Sequence, residues 1–203
     1  PQEQDIEENI EGTHFNSFFV GNELDHYGKL MGMGIFCHEL GHALGLPDFY
    51  NTNPYVTLPR NPFGFWSIMD AGPYVNRANA PIGYTAYERS YLGWLKIKEL
   101  TEPETVKLDP VSNKEGQLAA IVRSPNSRLE YFILENRTSD TWYPKEYKEN
   151  RGGGYETFTF GDGLMLSHYA YDKYTWASNN VNTNAQKMRA YMIPADNEKL
   201  NYS

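Results

Sequence analysis

Residues 38–48 read HELGHALGLPD, and the interpretation of the whole chain depends on this stretch. Its two histidines, His38 and His42, are four residues apart, so on a helix they lie on one face about one turn from each other. Neutral imidazoles at this spacing can share one zinc ion. Glu39 lies beside His38 without taking a coordination position, so it suits the role of a general base toward water at the metal.

The residues after His42 provide a helix end and a third ligand. Gly45 lets the chain leave the helix through a left-handed residue, and Pro47 prevents the helix from resuming. The chain can then turn back and bring Asp48 to the metal. Three protein ligands and one position open to water are what a catalytic zinc requires. HExxH alone is also compatible with a surface pair of histidines, but the added Gly45 and Asp48 favour zinc.

The motif and the sequence downstream of it resemble known zinc peptidases. HExxHxxGxxD is similar to the long zinc signature of the metzincin-type peptidases, with Asp in place of the usual third His. Longer strings resemble the immune inhibitor A-like family of secreted bacterial metallopeptidases, namely CHELGHALGLPDFY, GFWSIMDAG, APIGYTAYERSYLGWL, YFILENR, GDGLMLSHYAYD and MIPAD. The resemblance implies a secreted, extracellular zinc endopeptidase that acts on protein or peptide substrates.

Residues 67–70, SIMD, resemble the Met-turn of these families, a tight turn that places a methionine, here Met69, beneath the metal ligands. A core methionine that fills an irregular gap is the alternative. Many such enzymes carry a tyrosine two residues after the methionine, where this chain has Ala71. Tyr74 is the nearest substitute, and we consider it as a substrate or transition-state contact.

Two further residues are candidates for the site. Glu88 is a rival third ligand, because some zinc peptidases take that ligand from a glutamate on a following helix. Asp48 is favoured, since its spacing from Gly45 lets the chain turn back after the helix and bring the Asp48 carboxylate to the metal. His168 lies in a strand-like run, where bonding within a sheet is favoured over contact with substrate or transition state.

A calcium ion is an alternative cofactor for the segment after the zinc motif. Asp48, Asn51 and Asn53 offer the side-chain oxygens that Ca²⁺ prefers, although their spacing is only a weak indication.

Composition limits the function classes. The chain has 203 residues, a net charge of −8 and 40% hydrophobic residues, which suits a globular domain and argues against nucleic acid as a partner. No run is long enough for a membrane span, and the single Cys37 excludes an internal disulfide. The polar opening PQEQDIEENIEG contains no signal peptide, so we interpret the chain as a processed piece of a secreted protein.

The predicted fold class is α+β. Residues 1–98 form a zinc-binding, mainly helical part, and residues 99–203 form a β-rich part packed on it within one catalytic domain. In the first part we expect a flexible acidic leader over 1–12, a strand over 13–20, and helices over 24–44 and 81–95. In the second we expect strands over 104–108, 117–123, 130–137, 155–160, 164–172 and 188–193.

Zinc peptidases of this class place a β-sheet before the active-site helix, and its edge strand binds the substrate backbone. Few residues precede His38, so an upstream segment of the same precursor is an expected partner. A non-catalytic zincin-like module for binding or assembly is the alternative function. The intact Glu39 argues against it, because a scaffold needs no base beside its metal.

Overall fold

A computed structural model describes residues 2–10, 12–24, 28–55, 59–139, 146–150 and 155–196. In chain order the strands and helices are β1 (Gln2–Ile10), β2 (Thr13–Val20), α1 (Gly34–Ala43), α2 (Ala86–Tyr91), β3 (Lys98–Glu99), β4 (Ala119–Ser124), β5 (Ser127–Arg137), β6 (Glu146–Asn150), β7 (Tyr155–Thr159), β8 (Gly163–Ala170), α3 (Lys173–Ala177) and β9 (Ala190–Met192). Few helices and a mixed five-stranded sheet make the described part an α+β structure.

The five-stranded sheet has the order β3-β4-β5-β8-β9. Its β3–β4 pair is parallel, and the other three pairs are antiparallel. The predicted strands that fall on β4, β5, β7, β8 and β9 are confirmed with small shifts of their ends. The strand predicted over 104–108 is wrong: this segment forms no ladder, and the Asn136 side chain of β5 donates instead to the Leu108 carbonyl at 3.0 Å.

The beginning of the chain differs from the expectation of a flexible leader. Residues 2–10 form β1, which pairs antiparallel with β2 from Gln2 opposite Val20 to Ile10 opposite Thr13. The strand expected over 13–20 is confirmed, and it is the apolar, aromatic β2 that gives the polar leader a partner. β6 and β7 form a second separate hairpin.

Helix α1 is much shorter than the predicted 24–44. Gly28 has a left-handed φ of +72°, and residues 31–32 are not helical. A Cβ on Gly32 would lie 2.1 Å from the backbone of Ala78, and one on Gly34 would lie 2.0 Å from the Pro73 carbonyl oxygen. The glycines therefore allow other backbone to pass closely, and the same contacts take the chain out of helical geometry before residue 34.

Helix α2 covers less of its predicted range, 81–95, because a strong cap sets its start. The Thr85 hydroxyl accepts from the Glu88 N–H at 3.1 Å, and the Glu88 carboxylate accepts from the Thr85 N–H at 2.6 Å. This reciprocal capping box begins the helix after Thr85. Gly93, with φ +76°, turns the chain away beyond its end.

The core lies between the loops around the zinc motif and the five-stranded sheet. An aromatic group joins them through ring contacts: Phe49 and Phe63 come from the loops, Tyr87 from α2, Tyr169 from β8 and Trp176 from α3. The core therefore includes residues from both sides of the expected boundary at residue 98.

A buried ion pair on β5 also links the two sides. Arg137 pairs with Glu135, and its guanidinium donates to the Trp66 carbonyl at 3.2 Å. The other oxygen of Glu135 accepts from the Ala86 N–H, at the start of α2. Both side chains are almost completely buried, so these charges are stabilised by one another and by backbone partners.

Candidate metal centre

Helix α1 brings His38 and His42 together. Their rings are 4.7 Å apart and nearly perpendicular. Nδ1 of His38 donates to the Ile68 carbonyl, and Nδ1 of His42 donates to the Leu46 carbonyl, each at 2.8 Å. Because carbonyl oxygens only accept, these bonds assign the proton to Nδ1 and leave the Nε2 lone pair of each neutral ring free to bind a cation.

The end of α1 brings Asp48 to the two histidines. Gly45 has φ +96°, its N–H bonds to the His42 carbonyl, and the Leu46 N–H bonds to the Gly41 carbonyl at 2.9 Å. These two bonds form a Schellman motif, which reverses the chain. Asp48 then lies with Oδ1 at 3.1 Å from His38 Nε2 and 3.2 Å from His42 Nε2.

These three atoms could hold a metal ion. The Asp48 Oδ1 atom is buried and, within the described part of the chain, has no partner other than the two imidazoles. Two neutral nitrogens and a carboxylate oxygen are all acceptors, so a cation or a proton must lie between them. Ligands about 2.0–2.1 Å from a tetrahedral zinc lie roughly 3.3 Å from one another. The two distances to Asp48 Oδ1 are close to that value, and two imidazoles with one carboxylate are a donor set that zinc accepts.

The charge state of these side chains agrees with their contacts. Burial alone would raise the pKa of Asp48, but its hydrogen bonds with His38, His42 and Asn179 hold that pKa well below its ordinary value. Burial alone would lower the pKa of His42, and the contact with Asp48 raises it instead. Asp48 is therefore a carboxylate at neutral pH.

Glu39 and Tyr74 line the same cavity as His38, His42 and Asp48. The cavity has a volume of about 850 Å³, and Glu39 is half-buried at its edge. Tyr74 ends a short turn of 3₁₀ helix and is 58% exposed. Burial of its hydroxyl, followed by the nearby charges of Glu39 and Asp48, raises the pKa of Tyr74. The hydroxyl is therefore a neutral donor at physiological pH.

The structure adds residues that the sequence did not indicate. Tyr50 stacks on His38 with ring centres 6.3 Å apart, and burial and the charge of Asp48 raise the pKa of its hydroxyl. Arg60 and Asn179 also line the cavity. Tyr50 is two residues from Asp48 and could have been found from that proximity, whereas nothing local in the sequence connects Asn179 with the site.

Met69 is completely buried beneath α1. A Cβ on Gly41 would lie 2.5 Å from its sulfur, so the thioether packs against the helix at Gly41. The Met69 N–H donates to the Ser67 hydroxyl at 3.0 Å, and its carbonyl accepts from the Phe49 N–H at 2.8 Å. The turn is thus bonded both internally and to the loop after Asp48.

Two other candidates lie outside the ligand group. Glu88 is fully buried, where its carboxylate accepts from the Ser67 hydroxyl and the Thr85 N–H. His168 lies on β8, where Nε2 contacts the Glu130 carboxylate at 3.0 Å. Within the described residues, the group of side chains able to hold a metal contains His38, His42 and Asp48.

The two asparagine oxygens considered for calcium have other partners. Asn51 Oδ1 accepts from the Asn53 N–H at 2.9 Å, and Asn53 Oδ1 accepts from the Tyr55 N–H at 3.0 Å. These side chains form local turns that shape the loop.

Comparison with known proteins finds similarity to metallopeptidases. Residues 9–96 match the family model for the immune inhibitor A peptidase M6 catalytic domain. The pre-pro-metalloprotease PrtV of two strains of Vibrio cholerae serotype O1 is 27% identical to the chain over 141 residues. Those matches cover 60% of this chain but 15% of each relative, so the chain spans a small part of their length. No solved structure gives a significant match.

In the residues with described positions, no helix combines the length and apolar character that a bilayer span needs.

Proposed function

We propose that this chain, whose residues 9–96 match the immune inhibitor A peptidase family model, is a member of that family and a zinc-dependent endopeptidase whose metal is held by His38, His42 and Asp48. The observation that carries the proposal is the buried Asp48 Oδ1, flanked by two Nε2 atoms whose rings are fixed by backbone carbonyls. This acceptor-only arrangement favours a resident cation, and its nitrogen-rich composition favours zinc over calcium.

Zinc in this position would lower the pKa of a water molecule and polarise the scissile carbonyl of a peptide. Glu39 lies on α1 next to His38 and faces the same cavity, so its carboxylate accepts the proton of the attacking water. The same carboxyl group then returns that proton to the leaving amine. The stacking of Tyr50 on His38 limits movement of that ring during the reaction.

Tyr74 is proposed as a substrate and transition-state contact. Its hydroxyl stays protonated at neutral pH and faces the cavity that contains Glu39 and Asp48. A neutral donor there can bind the carbonyl oxygen of a substrate as negative charge develops on it. Tyr74 thus takes the part of the tyrosine that Ala71 does not provide.

Met69 is proposed as the methionine of a Met-turn. Its sulfur packs against Gly41, and the Ile68 carbonyl beside it fixes His38. A thioether is a weak donor for zinc compared with imidazole and carboxylate, so Met69 supports the ligands from below without binding the metal.

We also propose that the enzyme acts outside the cell as part of a longer precursor. Its relatives are named as pre-pro-metalloproteases, which supports export of a precursor. Met33, Phe36, Leu40 and Leu44 are exposed at helical spacing on the side of α1 opposite the histidines. An upstream segment that covers this apolar stripe should raise the activity of the chain. Peptide hydrolysis by a longer chain that includes this segment, compared with hydrolysis by the present chain, measures the effect.

Peptide hydrolysis by zinc-loaded wild type and Glu39→Gln tests the mechanism. Glutamine keeps the size of the side chain but cannot take the proton, so hydrolysis should fall by roughly 10²–10⁴-fold while zinc stays bound. Equal hydrolysis by both proteins on a broad peptide library would refute the role of Glu39. Zinc binding without hydrolysis in either protein would favour the alternative, a non-catalytic zincin-like module for binding or assembly.

A further inference from the structure

Asn179 reaches the third ligand from the far end of the chain. It follows α3, whose first turn is capped by the Asp172 carboxylate through the N–H groups of Tyr174 and Thr175, both at 3.0 Å. Asn179 itself has a left-handed φ of +54°, and its N–H bonds to the Trp176 carbonyl at 3.2 Å. Asparagine is one of the few residues that adopt this conformation readily.

The end of α3 is held firmly in the core. Trp176 is buried, its indole N–H donates to the Tyr87 hydroxyl at 2.7 Å, and its ring contacts Phe49. Asn179 is three residues further on, so its position is fixed by the same packing that fixes α2 and the loop after Asp48. A side chain supported in this way can hold a ligand at a defined place.

Both ends of the Asn179 amide bond to Asp48. Its Oδ1 accepts from the Asp48 backbone N–H at 2.6 Å, and its Nδ2 donates to Asp48 Oδ2 at 2.7 Å. The Asn179 carbonyl also accepts from the Thr52 hydroxyl at 3.2 Å. One residue therefore fixes the backbone and the carboxylate of Asp48 across 131 positions of sequence.

From this geometry we propose that Asn179 is the positioning residue for the third metal ligand. It occupies Asp48 Oδ2, so that Asp48 offers Oδ1 alone to the ion between His38 and His42. One-oxygen binding leaves the fourth position of a tetrahedral zinc open to water. The inference rests on the proposed zinc centre, and it makes the segment after β8 a necessary part of that centre.

An amide is needed for this role because it combines a donor and an acceptor in one plane. Aspartate at position 179 could accept from the Asp48 N–H but would set a second carboxylate against Oδ2. Glycine would keep the left-handed backbone and remove both bonds. Comparing Asn179→Asp with Asn179→Gly therefore separates the effect of charge from the effect of losing the side chain.

Asn180 provides a matched control. It is exposed, and its side chain bonds only to the Ser178 hydroxyl among the contacts described, at 3.0 Å. Asn180→Gly removes the same kind of side chain from the neighbouring position without touching Asp48. Near-ultraviolet circular dichroism of every variant checks that the aromatic core is unchanged.

The test is zinc affinity by competition with a chelator, together with the visible absorption of the Co²⁺-substituted protein. Loss of a partner that orients a metal ligand typically weakens binding about 10–100-fold, and we expect this for Asn179→Gly and a greater loss for Asn179→Asp. The Co²⁺ bands should weaken and shift in Asn179→Gly, because a freed Oδ2 can join the coordination. Asn180→Gly should match wild type in both measurements.

Wild-type affinity and an unchanged Co²⁺ spectrum in folded Asn179→Gly would overturn the positioning role while leaving the zinc centre intact. If Asn179→Gly does not fold, Asn179→Asp serves as the second test. A folded Asn179→Asp protein with wild-type zinc affinity and an unchanged Co²⁺ spectrum would also overturn the positioning role. Absence of zinc binding in wild type would instead refute the proposed function, and the positioning role with it.

Discussion

The thioether of Met69 lies against Gly41, the residue before the second histidine of the zinc motif. A Cβ at Gly41 would come within 2.5 Å of Met69 Sδ and 3.3 Å of its Cε. Met69 is completely buried, so the sulfur has little room to withdraw. Gly41, within HELGH, therefore permits the turn at residues 67–70 to pack directly against α1.

This contact predicts coupling between Gly41 and Met69. Gly41→Ala should destabilise the wild-type protein by about 1–3 kcal/mol through overpacking, and should be neutral or favourable when Met69→Ala has emptied the space. Denaturant unfolding of the four proteins in a double-mutant cycle measures the coupling. Gly34→Ala is the control, because its Cβ meets the Pro73 carbonyl and its cost should not depend on Met69. Equal costs of Gly41→Ala in both backgrounds would contradict the contact.

Substitution of Met69 itself should separate packing from metal binding. Met69→Leu conserves volume and should cost less than about 1.5 kcal/mol, with zinc binding and hydrolysis largely kept. Met69→Ala should leave a cavity, lower the free energy of unfolding by roughly 2–5 kcal/mol and weaken zinc binding by loosening His38 and His42. Chelator competition and denaturant unfolding measure the two effects. Loss of zinc in Met69→Leu would show that the sulfur binds the metal.

Metal-free protein should be most stable in mildly acidic solution. The Asp48 pKa is lowered from 3.8, so its contribution is present above that pH and is lost as pH falls through the lower folded value. The His42 pKa is raised from 6.5, so its contribution is complete below that pH and is lost as pH rises through the folded value. The joint contribution is therefore largest between those two values.

Thermal unfolding of the metal-free protein in a chelator, measured across this pH range, tests for the predicted maximum in stability. Asp48→Asn is the control, and in this variant stability should depend much less on pH. Bound zinc replaces the proton among the ligands, so the zinc-loaded protein should keep its stability above pH 7. A midpoint temperature of unfolding that, in the metal-free protein, rises steadily as the pH is increased beyond 7 would contradict the His42–Asp48 contact.

Glu88 and Asp48 should respond in opposite ways to loss of charge. Glu88→Gln sets an amide NH₂ group among the Ser67 and Thr85 donors, so it should destabilise the protein by about 1–3 kcal/mol yet leave one zinc per chain. Asp48→Asn should still fold but should bind zinc with sharply reduced affinity. Mass spectrometry of bound metal gives both stoichiometries. Zinc loss in folded Glu88→Gln would restore Glu88 as a candidate ligand.

Local sequence predicted the parts of the site that are close together in the chain. His38, Glu39 and His42 are related by helix geometry, and Gly45 and Asp48 by the way in which a helix ends. The extent of α1 was overestimated because the close approach of residues 73–78 to Gly32 and Gly34 depends on the folded chain and cannot be read from the local sequence. Asn179 could not be predicted, since its pairing with Asp48 depends on how α3 packs in the core.

The central claim is that zinc is bound by His38, His42 and Asp48, and a crystal structure of the zinc-loaded protein tests it most directly. We expect one zinc about 2.0–2.1 Å from both Nε2 atoms and about 2.0–2.2 Å from Asp48 Oδ1, with Asp48 Oδ2 still bonded to Asn179. Zinc bound without Asp48, or at a place away from the two histidines, would contradict the account.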